Sequence, residues 1–483
     1  MATTTIDTST DPQVGYRPPG SLDVASALAP YGGRFGVRQS GHLLRRAGFG
    51  GSAEDVARLA SLHVSDAVYT LLHPAAADAA FPDYPESAAL YDPKRARAAV
   101  QTWWLDRMLR TNRPLVEKMT LFWHGHFATS IAKVPPQYMA TQIDLFRALG
   151  LGRFPALLGA VTRDPAMLVW LDNRYNAKAH PNENYAREVM ELFALGLGNY
   201  TEDDIKEAAR AFTGWTLDRN GAATFVAARH DDGPKTIFGR TGTFGSDDVI
   251  AAIVTRPVHQ RFIVRKLLEF FVYSDPEPEL VESAAQVYAL SGFDIARTVG
   301  TILRSNVFYS SRAYRALPKS PVEFAIGTLR YLGATAIPPN LIYQLARMGQ
   351  EPLNPPSVKG WDGGPAWINT STLLARFNFV NGIVAQTAPG KNGQAAVAAP
   401  NVNPDLLVGR VGMDATKIGA TLIAGAVQDD VTSDVRATLT AYLNNATPSA
   451  AIQNPQPFGP ENYQDKIRGA LALTLNLPVN QLD

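Results

Sequence analysis

Apolar positions recur at helical spacing along most of the chain, and the elements follow from that period. A helical pattern starts near Ser40 in SGHLLRRAGFG and stops at Gly48 and Gly50. Ser52, followed by Glu54 and Asp55, predicts an N-cap with acidic first-turn residues for a helix through Leu72. Residues 92–125 predict a long helical stretch broken near Arg113–Pro114, and residues 135–172 predict further helices. Asn182–Leu197 predicts one strong helix, and Thr201 with Asp204 three residues on predicts a capping box for the next, which runs to about Thr213. The period then changes. Thr224–Arg229 and Lys235–Phe238 flank His230-Asp231-Asp232-Gly233-Pro234, which predicts one small hairpin. Helical patterns resume over 246–275, 279–308 and 319–332, and again at Ser371–Ala385 after the Pro/Gly-rich stretch Glu351–Pro365. The fold class expected is mainly α, a large multi-helix globular bundle with one β-hairpin insertion. Its expected divisions are an extended tail over 1–37, a helical core over 38–387 with the hairpin near 222–240, a linker over 388–405, and a helical part over 406–483 packed on the core.

Composition narrows the function more by exclusion than by suggestion. The chain has 483 residues, with 45 Lys plus Arg against 44 Asp plus Glu; a net charge of +1 gives no reason to expect nucleic acid or an anionic membrane as partner. The absence of cysteine removes disulfides, thiolate nucleophiles, iron–sulfur clusters and Cys-type zinc sites. The N-terminal MATTTIDTSTDPQVGYRPPG has neither the basic nor the apolar region of a secretory signal. No apolar run reaches the roughly 18 residues of a membrane helix. A cytoplasmic protein is expected, with export by another route left open.

Five segments carry candidate chemistry. In Phe122-Trp123-His124-Gly125-His126-Phe127 two histidines stand two apart, about 200° around a continuous helix. A helix ending at His124, with Gly125 left-handed, would turn both rings toward one metal or acid/base site. On the helix Asn182–Leu197, Asn184, Arg187, Glu188 and Glu191 form one stripe, which is either a charged cleft lining with carboxylates for a cation or a salt-bridged face. Glu207 and Arg210 are three apart and suited to pairing, and Arg210 is the candidate for an anionic substrate group. The turn His230–Thr236 gathers a histidine, two acids and Lys235. In Asn354–Trp367, Trp361 and Trp367 are candidates to stack on a planar ligand or to anchor their loop. No GxSxG elbow, phosphate loop, dinucleotide fingerprint or HExxH is present.

Six pieces in this order resemble a bacterial family of proteins containing domain of unknown function 1800: GHLLRRAGFG, FWHGHF, NENYAREVMELFALG, TEDDIKEAARAFTGW, HDDGPKT and NPPSVKGWDGGPAWINT. The resemblance implies a helical single-domain protein, often exported, and a sulfatase-like partner by family analogy; it supplies no activity or cofactor. The expected function is a metal-assisted hydrolase or oxidoreductase whose helical cleft binds Mn, Fe or Zn. His124, His126 and Glu191 would ligate the metal, Glu188, Arg187, His230 and Lys235 would act on substrate, and Arg210, Trp361 and Trp367 would bind it. The alternative is a non-enzymatic binding or scaffold protein that meets a partner through the Trp-rich loop.

Overall fold

The computed structural model describes residues 24–74, 93–385, 407–409, 411–444, 459 and 462–483. Most of the expected tail and all of the expected linker over 388–405 lie outside the described residues. What is described is mainly helical. From the N-terminus come α1 (Val24–Ala27), α2 (Val37–Arg46), α3 (Ala53–Ala60), α4 (Val64–Leu72), α5 (Pro93–Arg110) and α6 (Pro114–His126). They are followed by α7 (Pro136–Leu149), α8 (Phe154–Thr162), α9 (Pro165–Trp170), α10 (Asn184–Glu188) and α11 (Glu202–Ala211). Then come α12 (Ser246–Val254), α13 (Pro257–Phe271), α14 (Pro278–Leu290), α15 (Ile295–Arg304), α16 (Pro321–Tyr331), α17 (Leu341–Arg347) and α18 (Thr370–Val384). Three C-terminal helices span Ala415–Val427, Ser433–Asn444 and Tyr463–Leu475. The first of these packs on α3, and the last on α18.

Local chemistry sets many of these boundaries. Proline stands in the first turn of α6, α7, α8, α9, α13, α14 and α16. There its fixed φ suits the helix and its missing N–H costs nothing. The break expected at Arg113–Pro114 is the α5–α6 junction. Ser52 caps α3 with Asp55 reciprocating, and Thr201 caps α11 with Asp204 reciprocating. The aromatic centre of the core gathers at the end of α6. Trp123 and Phe127 are fully buried, their rings 5.5 Å apart, and the Phe193 ring stands 5.2 Å from that of Phe127.

Two features differ from expectation. The strong helix expected over Asn182–Leu197 is α-helical only to Glu188; Val189–Ala194 is a π-turn, closed by the Leu195 N–H on the Met190 carbonyl at 2.9 Å. π-turns inside helices occur often beside functional sites. The single expected hairpin is replaced by two. β1 (Trp215–Leu217) pairs antiparallel with β2 (Ala223–Phe225), and β3 (Lys235–Ile237) with β4 (Arg240–Gly242). The second turns through Phe238 and Gly239, both at positive φ as a tight hairpin turn requires. Residues 224–229 do not pair with 235–238 because their backbone is engaged elsewhere: Val226 N donates to Gly214 O, and Lys178 N to Arg229 O.

Candidate functional site

The helix α6 continues through Gly125 to His126, so the two histidines diverge rather than converge. Gly125 is not left-handed, and its role is tertiary. Gly360, at φ +87°, lies so close that a Cβ built on it would come within 2.3 Å of the Gly125 carbonyl oxygen. His124 turns inward between Trp104 and Trp361, at ring distances of 5.3 and 5.6 Å, and its Nε2 accepts from Leu353 N at 3.2 Å. Burial holds this ring neutral, its pKa lowered to about 3. His126 turns the other way. Its Nε2 meets the Phe193 carbonyl at 2.9 Å and therefore carries the hydrogen, while Nδ1 is buried without a partner. Burial first, then Lys266, pushes the His126 pKa well below the ordinary value. His259 does similar work at 3.1 Å from the Ala194 carbonyl, so two histidines cap the carbonyls that the π-turn leaves open.

Beside His126 lies a cleft of about 440 Å³, within the roughly 300–1,000 Å³ of small-molecule sites. One wall is α6, through Phe122 and His126; the facing wall is α13, through Lys266, Glu269 and Phe270. The Phe122 and Phe270 rings meet at 5.0 Å and close the gap between those helices. The third wall is the loop that carries Trp361 and Trp367. Trp361 is half-buried; Trp367 is buried in a short turn over Gly364–Trp367, its carbonyl accepting from Thr372 Oγ1 at 3.0 Å.

Lys266 and Glu269 are the half-buried titratable groups that distinguish this cleft. Among the described residues neither side chain has a hydrogen bond or an ion pair within 4 Å. The Lys266 ammonium lies 5.2 Å from the Phe262 ring centroid. Burial lowers the Lys266 pKa and raises that of Glu269; their mutual attraction opposes both shifts, and Lys359 adds to the fall at Lys266. Each is pushed toward its neutral form, as groups that exchange protons near neutral pH require. Both escaped the sequence reading. The available signal was the spacing of Phe262, Lys266, Glu269 and Phe270, which sets two charges in an aromatic stripe of one helix face.

The other expected site residues are placed elsewhere. Arg187 pairs with Glu183 at 3.2 Å and Glu202 at 2.8 Å. Glu191 accepts from the Tyr200 hydroxyl at 3.0 Å, and burial followed by Glu191 raises the pKa of Glu188. Within this stripe only Arg187 is salt-bridged, to residues outside it, and none of its members lines the cleft. Arg210 is bound to Asp231 at 2.7 Å, to Glu207 at 2.8 Å and to the Pro234 carbonyl at 3.1 Å. His230 Nδ1 lies 2.9 Å from the Thr213 carbonyl, and buried Lys235 donates to the Asp231 and Gly233 carbonyls. None of Arg187, Glu188, Glu191, Arg210, His230 and Lys235 lines the cleft. Among the described residues no three His, Asp or Glu side chains are arranged to hold a metal ion. The expected ligands His124, His126 and Glu191 are not brought together: the two ring Nε2 atoms face Leu353 N and the Phe193 carbonyl, and Glu191 faces Tyr200. Of the expected site residues, the cleft gathers His126, Trp361 and Trp367.

Among the described residues no helix is long and apolar enough to cross a membrane. Searches of curated proteins and of solved structures returned no match. A family model described as a protein of unknown function (DUF1800) matches residues 42–482, nearly the whole chain, and the protein belongs to that family.

Proposed function

We propose that this protein is an enzyme that transfers a proton to or from a small polar molecule held in the α6–α13 cleft. Lys266 and Glu269 are its acid/base pair, and Trp361, Phe122 and Phe270 form its apolar walls. One observation carries the reading: two oppositely charged side chains, half-buried on the same helix face, line a cleft of ligand size without being consumed in an ion pair. A lysine desolvated in this way is a more available base than an exposed one. His126 stands behind Lys266 as a positioning residue, its ring fixed by the Phe193 carbonyl. Burial of Trp367 reduces the surface on which the scaffold alternative relied.

The test is affinity-selection mass spectrometry with a defined library of small polar metabolites, followed by incubation of retained compounds in D2O. Wild type should retain a compound and load deuterium onto it, or convert it. Glu269→Gln should still bind it and exchange far more slowly. A retained set that is empty, or that is processed equally by Glu269→Gln and wild type, overturns the proposal.

A further inference from the structure

The cleft between α6 and α13 joins a nearly complete charge balance to a surplus of hydrogen-bonding groups, and most of its charges are already matched. Among its buried residues an inner cluster forms: Glu323 holds Lys118 and accepts from Ser320 N at 2.7 Å, and Asp483 lies 3.9 Å from the same ammonium. Both carboxylates also act on Arg46, which donates to the Ala313 carbonyl at 2.8 Å. Among its exposed residues Lys359 pairs with Asp362 at 2.9 Å, and Asp275 lies 3.8 Å from Arg265. What is left is one group of each sign, Lys266 and Glu269, on the same face of α13.

That remainder selects against a charged ligand. An anion is attracted by Lys266 and repelled by Glu269, and a cation meets the reverse. A hydroxyl suits both, because it accepts from an ammonium and donates to a carboxylate. A zwitterion suits both as well, but burial drives each group toward its neutral form, and a neutral amine or carboxylic acid holds a hydroxyl rather than an ion.

Neutral polar groups around the cleft repeat the pattern. Ser274 lines it, and its hydroxyl has no hydrogen-bond partner among the described residues. The successive N–H groups of Trp361, Asp362, Gly363 and Gly364, on the loop wall, have none either. Glycine keeps the backbone approachable: a Cβ built on Gly125 or Gly364 would meet nothing within 4 Å among the described residues. The apolar walls are aromatic. Trp361 is half-buried with the His124 ring at 5.6 Å, which leaves indole surface to the cleft. The negative face of an indole suits the C–H face of a saturated ring. Several hydroxyls on a small ring with such a face describe a sugar, and a volume of about 440 Å³ accommodates one or two sugar rings. We propose, on the reading that this cleft is the ligand site, that it binds a neutral mono- or disaccharide, whose ring packs against Trp361 and whose hydroxyls bridge Lys266, Glu269 and the backbone of 361–364.

Saturation-transfer difference NMR and calorimetry on the full chain test this with a fixed panel. Its neutral members are D-glucose, D-galactose, D-xylose, N-acetyl-D-glucosamine, maltose and cellobiose. Its charged members are D-glucuronate, D-galacturonate and D-glucosamine, with L-glutamine as a zwitterion. A neutral sugar should bind saturably, and its charged counterparts at least about tenfold more weakly. Trp361→Ala should abolish that binding, and Glu269→Gln should keep it, since an amide also bonds a hydroxyl. Should Trp361→Ala fail to fold, the panel still decides. The sugar site is overturned if no neutral member binds, if a charged member or glutamine binds as tightly, or if Trp361→Ala binds like wild type. Capture and deuterium exchange of a charged compound overturns it while leaving the acid/base pair standing. A neutral sugar that binds, but is processed equally by Glu269→Gln and wild type, overturns the pair and leaves the sugar site standing.

Discussion

The block around α10, α11 and the two hairpins and the cleft between α6 and α13 use the same residue types to opposite ends. In the first, Arg187, Arg210 and Lys235 are each saturated by two or more acceptors, and the segment 230–236 is stapled to α11. In the second, Lys266 and Glu269 stand without an ion-pair partner within 4 Å among the described residues, in a cleft walled by Phe122, Phe270 and Trp361 together with polar groups such as Lys359 and Asp362. Density of charged motif is therefore a poor guide to chemistry here. Charges that satisfy one another hold a fold together, while charges left unsatisfied beside a cavity are available to a ligand.

The largest effect expected is from acid, on four buried histidines of which His126 alone lines the cleft. His42, His124, His126 and His259 are buried, and burial is the main cause of a lowered pKa in each, to about 3 at His124 and about 4 at His259. In the unfolded chain these rings take protons below about pH 6.5, where the folded rings do not. Stability is thus fully present above that value and lost as pH falls toward the folded pKa values, by up to about 1.4 kcal/mol per pH unit for each ring. Urea unfolding across this range checks it, and a stability flat down to about pH 5 would mean that these rings charge without unfolding. Next in size is Glu323→Gln, which leaves Lys118 buried without its main counter-ion. It should cost about 3–5 kcal/mol in the same measurement, and a loss below about 1 kcal/mol would show that the inner cluster tolerates a missing charge.

Arg210→Ala probes the paired block. The side chain is 27% exposed, so solvent screens part of its pairing, and the loss should be about 1–2 kcal/mol. Compound retention and deuterium exchange in the cleft should not change. A fall in retention matching that of a cleft variant would erase the division between the two regions.

What the sequence disclosed follows that division. Some local signals were legible: the Thr201–Asp204 box and the break at Pro114 depend on residues within a few positions of one another, whereas the hairpin expected about His230–Pro234 failed because the backbone of 226–229 bonds to Gly214 and Lys178 instead. The cleft was not, because Phe122, Lys266 and Trp361 come together only through packing across more than two hundred residues. The same limit explains the histidines. Gly125 suggests a helix end because glycine often serves there, whereas Gly360 approaches its carbonyl from far along the chain. The π-turn escaped because one added residue per turn leaves the apolar pattern of Asn182–Leu197 almost unchanged while moving the carbonyls that His126 and His259 cap.

The smallest stability effect should accompany the most complete functional one. Lys266→Met keeps most of the aliphatic stem beside Phe262 and removes an ammonium that no carboxylate holds within 4 Å among the described residues. The change breaks no hydrogen bond or ion pair within 4 Å among the described residues; it takes from Glu269 the attraction of Lys266, while the burial that lowers the Lys266 pKa also opposes its charge. Its unfolding free energy should stay within about 0.5 kcal/mol of wild type, or rise slightly, while turnover of any captured compound is abolished. Arg210→Ala should show the reverse pattern, stability lost and turnover kept. If Lys266→Met instead unfolds readily, the amine is a structural strut like Lys235, and the contrast between a saturated block and an open cleft fails at the residue on which it most depends.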